Sequence, residues 1–395
     1  MAKKILVLDT GKEWGGGTNS LLEFLKRADR SRFSFTALFY DDLKKGQDSS
    51  VVKELRKIGI ETMLLPKREK GLAVRIAKEA GRAILFPSKE LKRRLIFRMD
   101  LMSRILPDSK WIASVISDNG FDLLYMNNLP STNIEGILAA KKAGIKCVQH
   151  SRRALMISGY EARAVNERVS KVICVSKGVM DCHLKSGVKP EKCVVVYNGI
   201  DASSSPAIPP EEVWKRIGVS DGALVIGTVC SLVKRKRVSM LLEAAAALKD
   251  RADISIVVVG EGPEAEPLRR KAEELGISGQ VVFTGFSSDA LSYINAFDIF
   301  ALPSGNEGLP RVILEAMLMS KPVVAFDIVG PDELVEDNRT GFLAPDGDLA
   351  VFTEKIALLA GSPELRRKFG ARARERVLKN FSIESYVKGV EEVLG

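Results

Sequence analysis

The sequence holds little of what metal and nucleophile chemistry requires. Its 395 residues include two histidines, His150 and His183, and five cysteines, none in a C-x-x-C pair. A Cys/His zinc cluster has no material to form from, and no metal site or cofactor is expected. The thiols of Cys147, Cys174, Cys182, Cys193 and Cys230 read as buried and reduced. No uninterrupted apolar run approaches the ~18 residues of a membrane-spanning helix. At the N-terminus Ile5-Leu6-Val7-Leu8 runs straight into Asp9, which reads as a first strand rather than a signal peptide, so a cytoplasmic location is expected. Aromatic residues make up only 6% of the chain, and no stacking cluster or recognition motif supports nucleic-acid binding.

What is present is charge, unevenly placed. The net charge is +10, but residues 1–200 hold 37 basic against 21 acidic residues, while 201–395 hold 23 against 29. Within the first half, Lys67 to Arg104 carries 12 basic and 4 acidic residues. Leu91, Leu95, Met99 and Met102 recur there at helical spacing, with Lys92, Arg93, Arg94 and Arg98 between them. Such a helix suits an anionic membrane surface or a phosphate-bearing ligand, or else packs its Leu/Met stripe into the core.

Apolar β-rich runs alternate with amphipathic segments along the whole chain. Strands are predicted at Lys4–Asp9, Phe33–Tyr40, Glu61–Leu65, Phe121–Met126, Lys146–His150, Val172–Ser176 and Val194–Val196. A Ser/Pro/Ala stretch, Asp201–Pro210, then reads as a linker. The alternation restarts with strands at Leu224–Val229, Ile254–Gly260, Val281–Gly285, Asp298–Leu302 and Pro322–Phe326. Near-continuous apolar strands separated by helices mean parallel sheets covered on both faces. The expected fold is α/β, with two Rossmann-like doubly wound domains (1–200 and 201–380) facing across a cleft. Open sheets of this kind bind ligands at the carboxyl ends of their strands.

The residues at those ends are therefore the candidates. Gly15-Gly16-Gly17 between the first strand and its helix lets backbone N–H groups approach a phosphate, although no Walker spacing follows. His150, followed by Ser151-Arg152-Arg153, ends a strand and can bond a ligand hydroxyl, or be a satisfied structural histidine. Lys234-Arg235-Lys236-Arg237 follows the strand after the linker and reads as an anion clamp. Gly260-Glu261-Gly262-Pro263 forms a tight turn where a planar base could lie. The densest signal is Glu307-Gly308-Leu309-Pro310 leading into a helix that carries Glu315. A carboxylate inside an apolar helix needs hydrogen-bond donors, such as a ribose diol.

Read together, these motifs resemble the retaining glycosyltransferases of family 4, which have the two-Rossmann GT-B architecture. The resemblance rests on the glycine loop, Val175-Ser176-Lys177, Val196-Tyr197-Asn198-Gly199-Ile200-Asp201, Thr284-Gly285-Phe286, the E-x7-E pair Glu307 and Glu315, Lys321-Pro322-Val323-Val324 and Thr340-Gly341-Phe342-Leu343. It implies a nucleotide-sugar donor, UDP- or GDP-linked, held mainly by the second domain. Glu315 would bind the ribose, Glu307 and His150 would approach the transferred sugar, and Lys236 would steady the diphosphate under Gly16 and Gly17. Gly260, Phe286, Gly308, Leu309 and Pro310 would complete the donor site, and 381–395 would return to the first domain. Ser231 stands where the family commonly carries an arginine on the diphosphate, a charge that Lys234 or Arg235 would then supply. The basic first half implies an anionic or lipid-linked glycan acceptor, with peripheral membrane contact through Lys92, Arg93, Arg94 and Arg98. A GT-B sugar-nucleotide epimerase and a non-catalytic sugar-nucleotide-binding scaffold are the competing readings.

Overall fold

A computed structural model describes residues 2–12, 15–45, 49–66, 89–220, 222–249 and 254–395. The first half forms a seven-stranded sheet from β1 (Lys3–Asp9), β2 (Phe33–Phe39), β5 (Glu61–Leu64), β6 (Leu123–Asn128), β7 (Lys146–Ser151), β8 (Lys171–Cys174) and β9 (Cys193–Val195). The two-residue strands β3 (Lys44–Lys45) and β4 (Ser49–Ser50) make a small hairpin beside it. The second half forms a six-stranded sheet from β10 (Leu224–Val229), β11 (Ile254–Val259), β12 (Val281–Gly285), β13 (Ile299–Leu302), β14 (Val323–Asp327) and β15 (Gly341–Pro345).

Strand order is β5-β2-β1-β6-β7-β8-β9 in the first sheet and β12-β11-β10-β13-β14-β15 in the second. All their pairings are parallel. Each order reverses once, between β1 and β6 and between β10 and β13, which sets a ligand crevice at the strand ends of each domain. The apolar runs are continuous because both faces are buried. In β1, Ile5 and Val7 pack with Phe24 and Tyr386, while Leu6 and Leu8 pack with Ile112 and Ile137.

The chain crosses between the domains twice, and the crossings clasp each other. Ile200 N–H donates to Phe381 O at 2.9 Å, and Ile383 N–H donates to Ile200 O at 3.0 Å. The terminal helix Ile383–Leu394 then lies on the first sheet, burying Ile383, Tyr386, Val390 and Leu394.

Three local features depart from expectation. Strand β15 escapes the pattern because it is only five residues long, Gly341–Pro345, and bounded by turn residues. The basic helix Lys89–Asp100 continues through a π-helical turn, Leu101–Ile105, into a helix Leu106–Asn119 in which Pro107 occupies the permissive first turn. Of the Leu/Met stripe, for which the sequence left both an outward and an inward face open, Leu95 is 37% and Met102 69% exposed and Met99 is half-buried, while Phe97 and Leu101 meet the core. The side chains of Lys92, Arg93 and Arg94 lie outside the described residues. All five cysteines are free, but only Cys147 and Cys174 are fully buried; the other three are half-buried. Among the described residues no helix is long and apolar enough to cross a membrane.

Since Ile383 is 1% exposed at the clasp, Ile383→Ala should lower the unfolding free energy by about 2–4 kcal/mol in a denaturant titration, the cost of a cavity in a packed core.

Candidate active site

The strand ends of the first sheet are organised around a buried cation. Arg152 follows β7, is 7% exposed, and spends its guanidinium on three neutral partners. Its Nε donates to Asn127 Oδ1 at 2.8 Å, Nη1 to Asn198 Oδ1 at 2.9 Å, and Nη2 to Tyr386 Oη at 3.1 Å. Asn127 Nδ2 in turn donates to Asp9, whose carboxylate also accepts from Gly11 N–H and Asn128 Nδ2, each at 3.0 Å. Burial raises the Asp9 pKa, and these hydrogen bonds together with the Arg152 charge oppose the rise. Tyr386 Oη in turn donates a hydrogen bond to Ser20 O at 3.1 Å, inside the helix Gly16–Arg27.

The same segment docks the two domains. Asn198 Nδ2 donates to Leu309 O at 2.9 Å, Ala154 N–H to Glu307 O at 3.0 Å, and Asn306 Nδ2 to Ala154 O at 2.8 Å. Gly308 lies so close to this strand that a Cβ there would fall 2.0 Å from Arg152 O. Only glycine permits that approach, which explains the Glu-Gly-Leu-Pro turn in terms of docking as well as ligand access.

On the other side, the second sheet supplies a stack of turns. Leu232 N–H donates to Glu261 O at 2.8 Å and Gly260 N–H to Gly285 O at 2.8 Å, which aligns Ser231, Gly260 and Phe286 along one sheet edge. Of the four consecutive cations, Lys236 is buried and ion-paired to buried Glu307. Arg237 pairs with Asp346 at 2.5 Å, and Lys234 is exposed.

Glu315 differs from Glu307. Its side chain is 13% exposed and its nearest cation, Arg311, stands at 3.7 Å, beyond hydrogen-bond range. Arg311 donates instead to Gly199 O at 3.2 Å. Burial raises the Glu315 pKa, partly opposed by Arg311. Among the described residues the Glu315 carboxylate accepts no hydrogen bond, so it is a partly enclosed acceptor in search of donors.

Two helix N-termini converge between these groups. The helix Gly16–Arg27 begins after Gly15 and the helix Arg311–Leu318 after Pro310, and neither cap offers a side-chain hydrogen bond. A methyl group added at Gly16 would lie 3.8 Å from Arg311 Cβ, so the two ends face each other across the cleft. The positive ends of two macrodipoles favour an anion there.

The structure thus brings Gly16, Lys236, Glu307, Gly308, Leu309, Pro310 and Glu315 to one cleft, with Gly17 against the Arg152 side chain. It does not bring His150 to the cleft surface. His150 shares a strand face with Val148, under the helix Gly16–Arg27 and the terminal helix. It is fully buried, with Nδ1 2.6 Å from Tyr125 Oη and Nε2 unpartnered. Burial, reinforced by Arg152, holds its pKa well below the ordinary imidazole value. His183, read as structural, is buried with Nε2 2.8 Å from Ser151 Oγ, and burial lowers its pKa to about 4. Arg152, Asn127 and Asn198 were not singled out from sequence, although paired asparagines ending β6 and a cation straight after β7 both mark the sheet's ligand edge. Among the described residues no three His, Cys, Asp or Glu side chains group to hold a metal ion.

Comparison with known proteins agrees with this arrangement. The family model "Glycosyltransferase Family 4" matches residues 50–204, and "Glycosyl transferases group 1" matches residues 211–376. The N-acetyl-alpha-D-glucosaminyl L-malate synthase of Bacillus anthracis is 29% identical over 207 residues, which are 52% of this chain and 54% of that protein. The chain therefore spans about half the length of that curated relative. A UDP-Gal:alpha-D-GlcNAc-diphosphoundecaprenol alpha-1,3-galactosyltransferase of Escherichia coli is 23% identical over 84% of this chain and 91% of its own. Among solved structures, Anabaena HepE in complex with UDP and glucose superposes with a TM-score of 0.81 at 23% identity, covering 99% of both chains. That likeness establishes the GT-B fold.

Because its folded pKa is raised, Glu315 costs stability once pH climbs above its ordinary 4.5. Glu315→Gln should therefore be more stable than the wild type at pH 7, by about 0.5–2 kcal/mol, as when other functional sites are relieved. Denaturant titrations at pH 7 and pH 4 should show the gap narrowing at the lower pH. An equal gap at both would refute the assignment.

Proposed function

This chain belongs to the family 4 (group 1) glycosyltransferases, and from that premise we propose that it moves a sugar from a nucleotide-sugar donor to a glycan or lipid-linked acceptor of the cell envelope, with retention at the anomeric carbon. The observation that supports this reading is the pair of helix N-termini, with no side-chain cap at either, facing each other near Lys236. A donor diphosphate fits that position: it is anionic, it must leave with its charge stabilised, and N–H dipoles fixed in advance do this without reorganisation. No resident metal is needed for that task.

Glu315, lacking donors, accepts from the ribose hydroxyls. Glu307 lies at the head of the turn toward the sugar, and Lys236 passes from Glu307 to a position shared with the diphosphate. The acceptor hydroxyl attacks from the leaving-group side and gives its proton to the departing phosphate. A UDP donor is favoured because the HepE structures contain UDP and UDP-glucose.

The acceptor reading rests on the first domain. Leu95, Met102, Met156, Tyr160 and Arg98 are exposed, and Phe97 meets Tyr160 edge-on at 4.9 Å, which joins the basic helix to the Met156–Tyr160 segment. Met156 lies two residues beyond Ala154, which bonds the Glu307 loop, so this apolar and basic face borders the cleft mouth. It suits a lipid-linked acceptor presented at an anionic membrane.

Thermal shifts with UDP, GDP and their sugar conjugates test the donor half. Ligand at ~100 times its dissociation constant stabilises by ~2.7 kcal/mol, and Glu315→Ala should abolish the shift. No shift with any nucleotide in the wild type favours the scaffold reading instead. For the acceptor half, sedimentation with phosphatidylglycerol vesicles should fall at least several-fold when Lys92, Arg93, Arg94 and Arg98 are changed to Glu. Unchanged binding removes the membrane face from the proposal.

A further inference from the structure

A second docking contact lies away from the cleft, and it rests on one carboxylate. The helix Lys177–Lys185 belongs to the first domain and follows β8; Glu333 belongs to the second, in the short helix Pro331–Leu334 after β14. Glu333 Oε2 accepts from Lys177 N–H at 3.0 Å, and Oε1 from Gly178 N–H at 2.8 Å. Oε2 also accepts from Tyr197 Oη at 2.9 Å. Tyr197 lies in the segment that leads to the first crossing. Burial raises its pKa, and the bond to Glu333 adds to the rise.

The amide count at this helix start closes only with Glu333. Val179 N–H donates to Ser176 Oγ at 3.1 Å and Met180 N–H to Ser176 O at 3.1 Å, so the helix caps its third and fourth amides itself. The first two have no partner in their own domain and take one from the other. A negative charge at that end also meets the positive pole of the helix macrodipole. The approach is close: a Cβ at Gly178 would lie 2.5 Å from Val329 Cγ1. On its far side Glu333 is held by the backbone, since Arg376 donates to Glu333 O at 2.9 Å and to Leu334 O at 2.8 Å.

We propose that Glu333 is a positioning residue: it caps the first domain's helix from the second domain and so fixes the angle at which the two halves of the cleft meet. It touches neither end of the proposed donor site. Its effect is to hold the helix N-terminus at Gly16 opposite the one at Arg311, so that the anion site is assembled from both domains. The catalytic consequence rests on the transferase reading above; the clamp itself does not.

The experiment compares the full-length wild type with Glu333→Ala, Glu333→Gln and Tyr197→Phe. Hydrogen–deuterium exchange reads the clamp directly. In Glu333→Ala, exchange at the amides of Lys177 and Gly178 should rise at least tenfold, with β6 and β10 protected as in the wild type. Small-angle scattering should give a larger radius of gyration. Glu333→Gln retains one acceptor oxygen and should fall between. With a donor identified, kcat should drop by roughly ten- to a hundredfold, the scale of a misplaced reacting group, and nucleotide affinity by a smaller factor, because the ligand must then restore the docked form itself.

Wild-type exchange at Lys177 and Gly178 together with wild-type scattering in Glu333→Ala overturns the proposal. So does a loss of nucleotide affinity equal to the loss in kcat, which would place Glu333 in the donor site. Should Glu333→Ala lose protection throughout, Tyr197→Phe and Glu333→Gln decide: raised exchange confined to Lys177 and Gly178 supports the clamp, and exchange unchanged there refutes it. If the wild type binds no nucleotide, the transferase reading fails while exchange and scattering still decide the clamp.

Discussion

The structure depends on the buried guanidinium of Arg152. A cation out of water must have its donors used, and Arg152 has no direct carboxylate partner to do so. Its partners come from three places in the chain: the end of β6, the segment before the first crossing, and the terminal helix. Asp9 balances the charge at one remove, through Asn127. Each partner carries the constraint outward. Asn198 reaches the carbonyl of Leu309 in the second domain, Tyr386 reaches Ser20 behind the glycine loop, and the Arg152 backbone lies against Gly308. One desolvated charge therefore registers the first sheet, both crossings and the Glu-Gly-Leu-Pro turn against one another. Removing any one partner would leave a buried donor stranded, which is why the arrangement behaves as a unit.

The sequence carries its long periodic features openly. Strands buried on both faces appear as uninterrupted apolar runs, and the linker follows from composition, whereas the returning tail is implied only by the family resemblance. Glu315 is legible as well, because a carboxylate in an apolar helix is costly, and Glu307 because it heads the Gly-Leu-Pro turn that opens that helix. The network is not, because its bonds join residues 25, 46 and 234 positions apart and no local pattern encodes such partners. His150 shows a second limit. Its position at a strand terminus is readable, but which face it takes depends on strict alternation from Val148, and that face is covered by the terminal helix. The outward turn of Leu95 and Met102 is a third case, since helical spacing defines a stripe without saying which stripe finds the core.

The two acids of the cleft differ in a way that their spacing alone does not show. Glu307 is already paired with Lys236, so its burial is compensated before any ligand arrives. Glu315 is compensated only in part, because Arg311 four residues earlier stands 3.7 Å away and donates its hydrogen bond to Gly199 instead. Burial therefore raises the Glu315 pKa despite the opposing Arg311 charge. A site that keeps one acceptor unsatisfied gives up some stability to gain a defined place for a ligand's donors.

Ser231 sharpens the question of where the positive charge comes from. A side-chain cation at that position would belong to the second domain alone and would act whatever the domain angle. Helix N-termini at Gly16 and Arg311 belong one to each domain, so their combined field exists only when the halves are docked. An anion that draws on both must bind the docked form more tightly than a separated one, and by linkage its binding favours docking. The contacts at Asn198, Gly308 and Glu333 lower the cost of that form before the ligand arrives. With a serine in place of an arginine, affinity at the cleft becomes a property of how the two domains are held, and residues far from the ligand acquire a share in it.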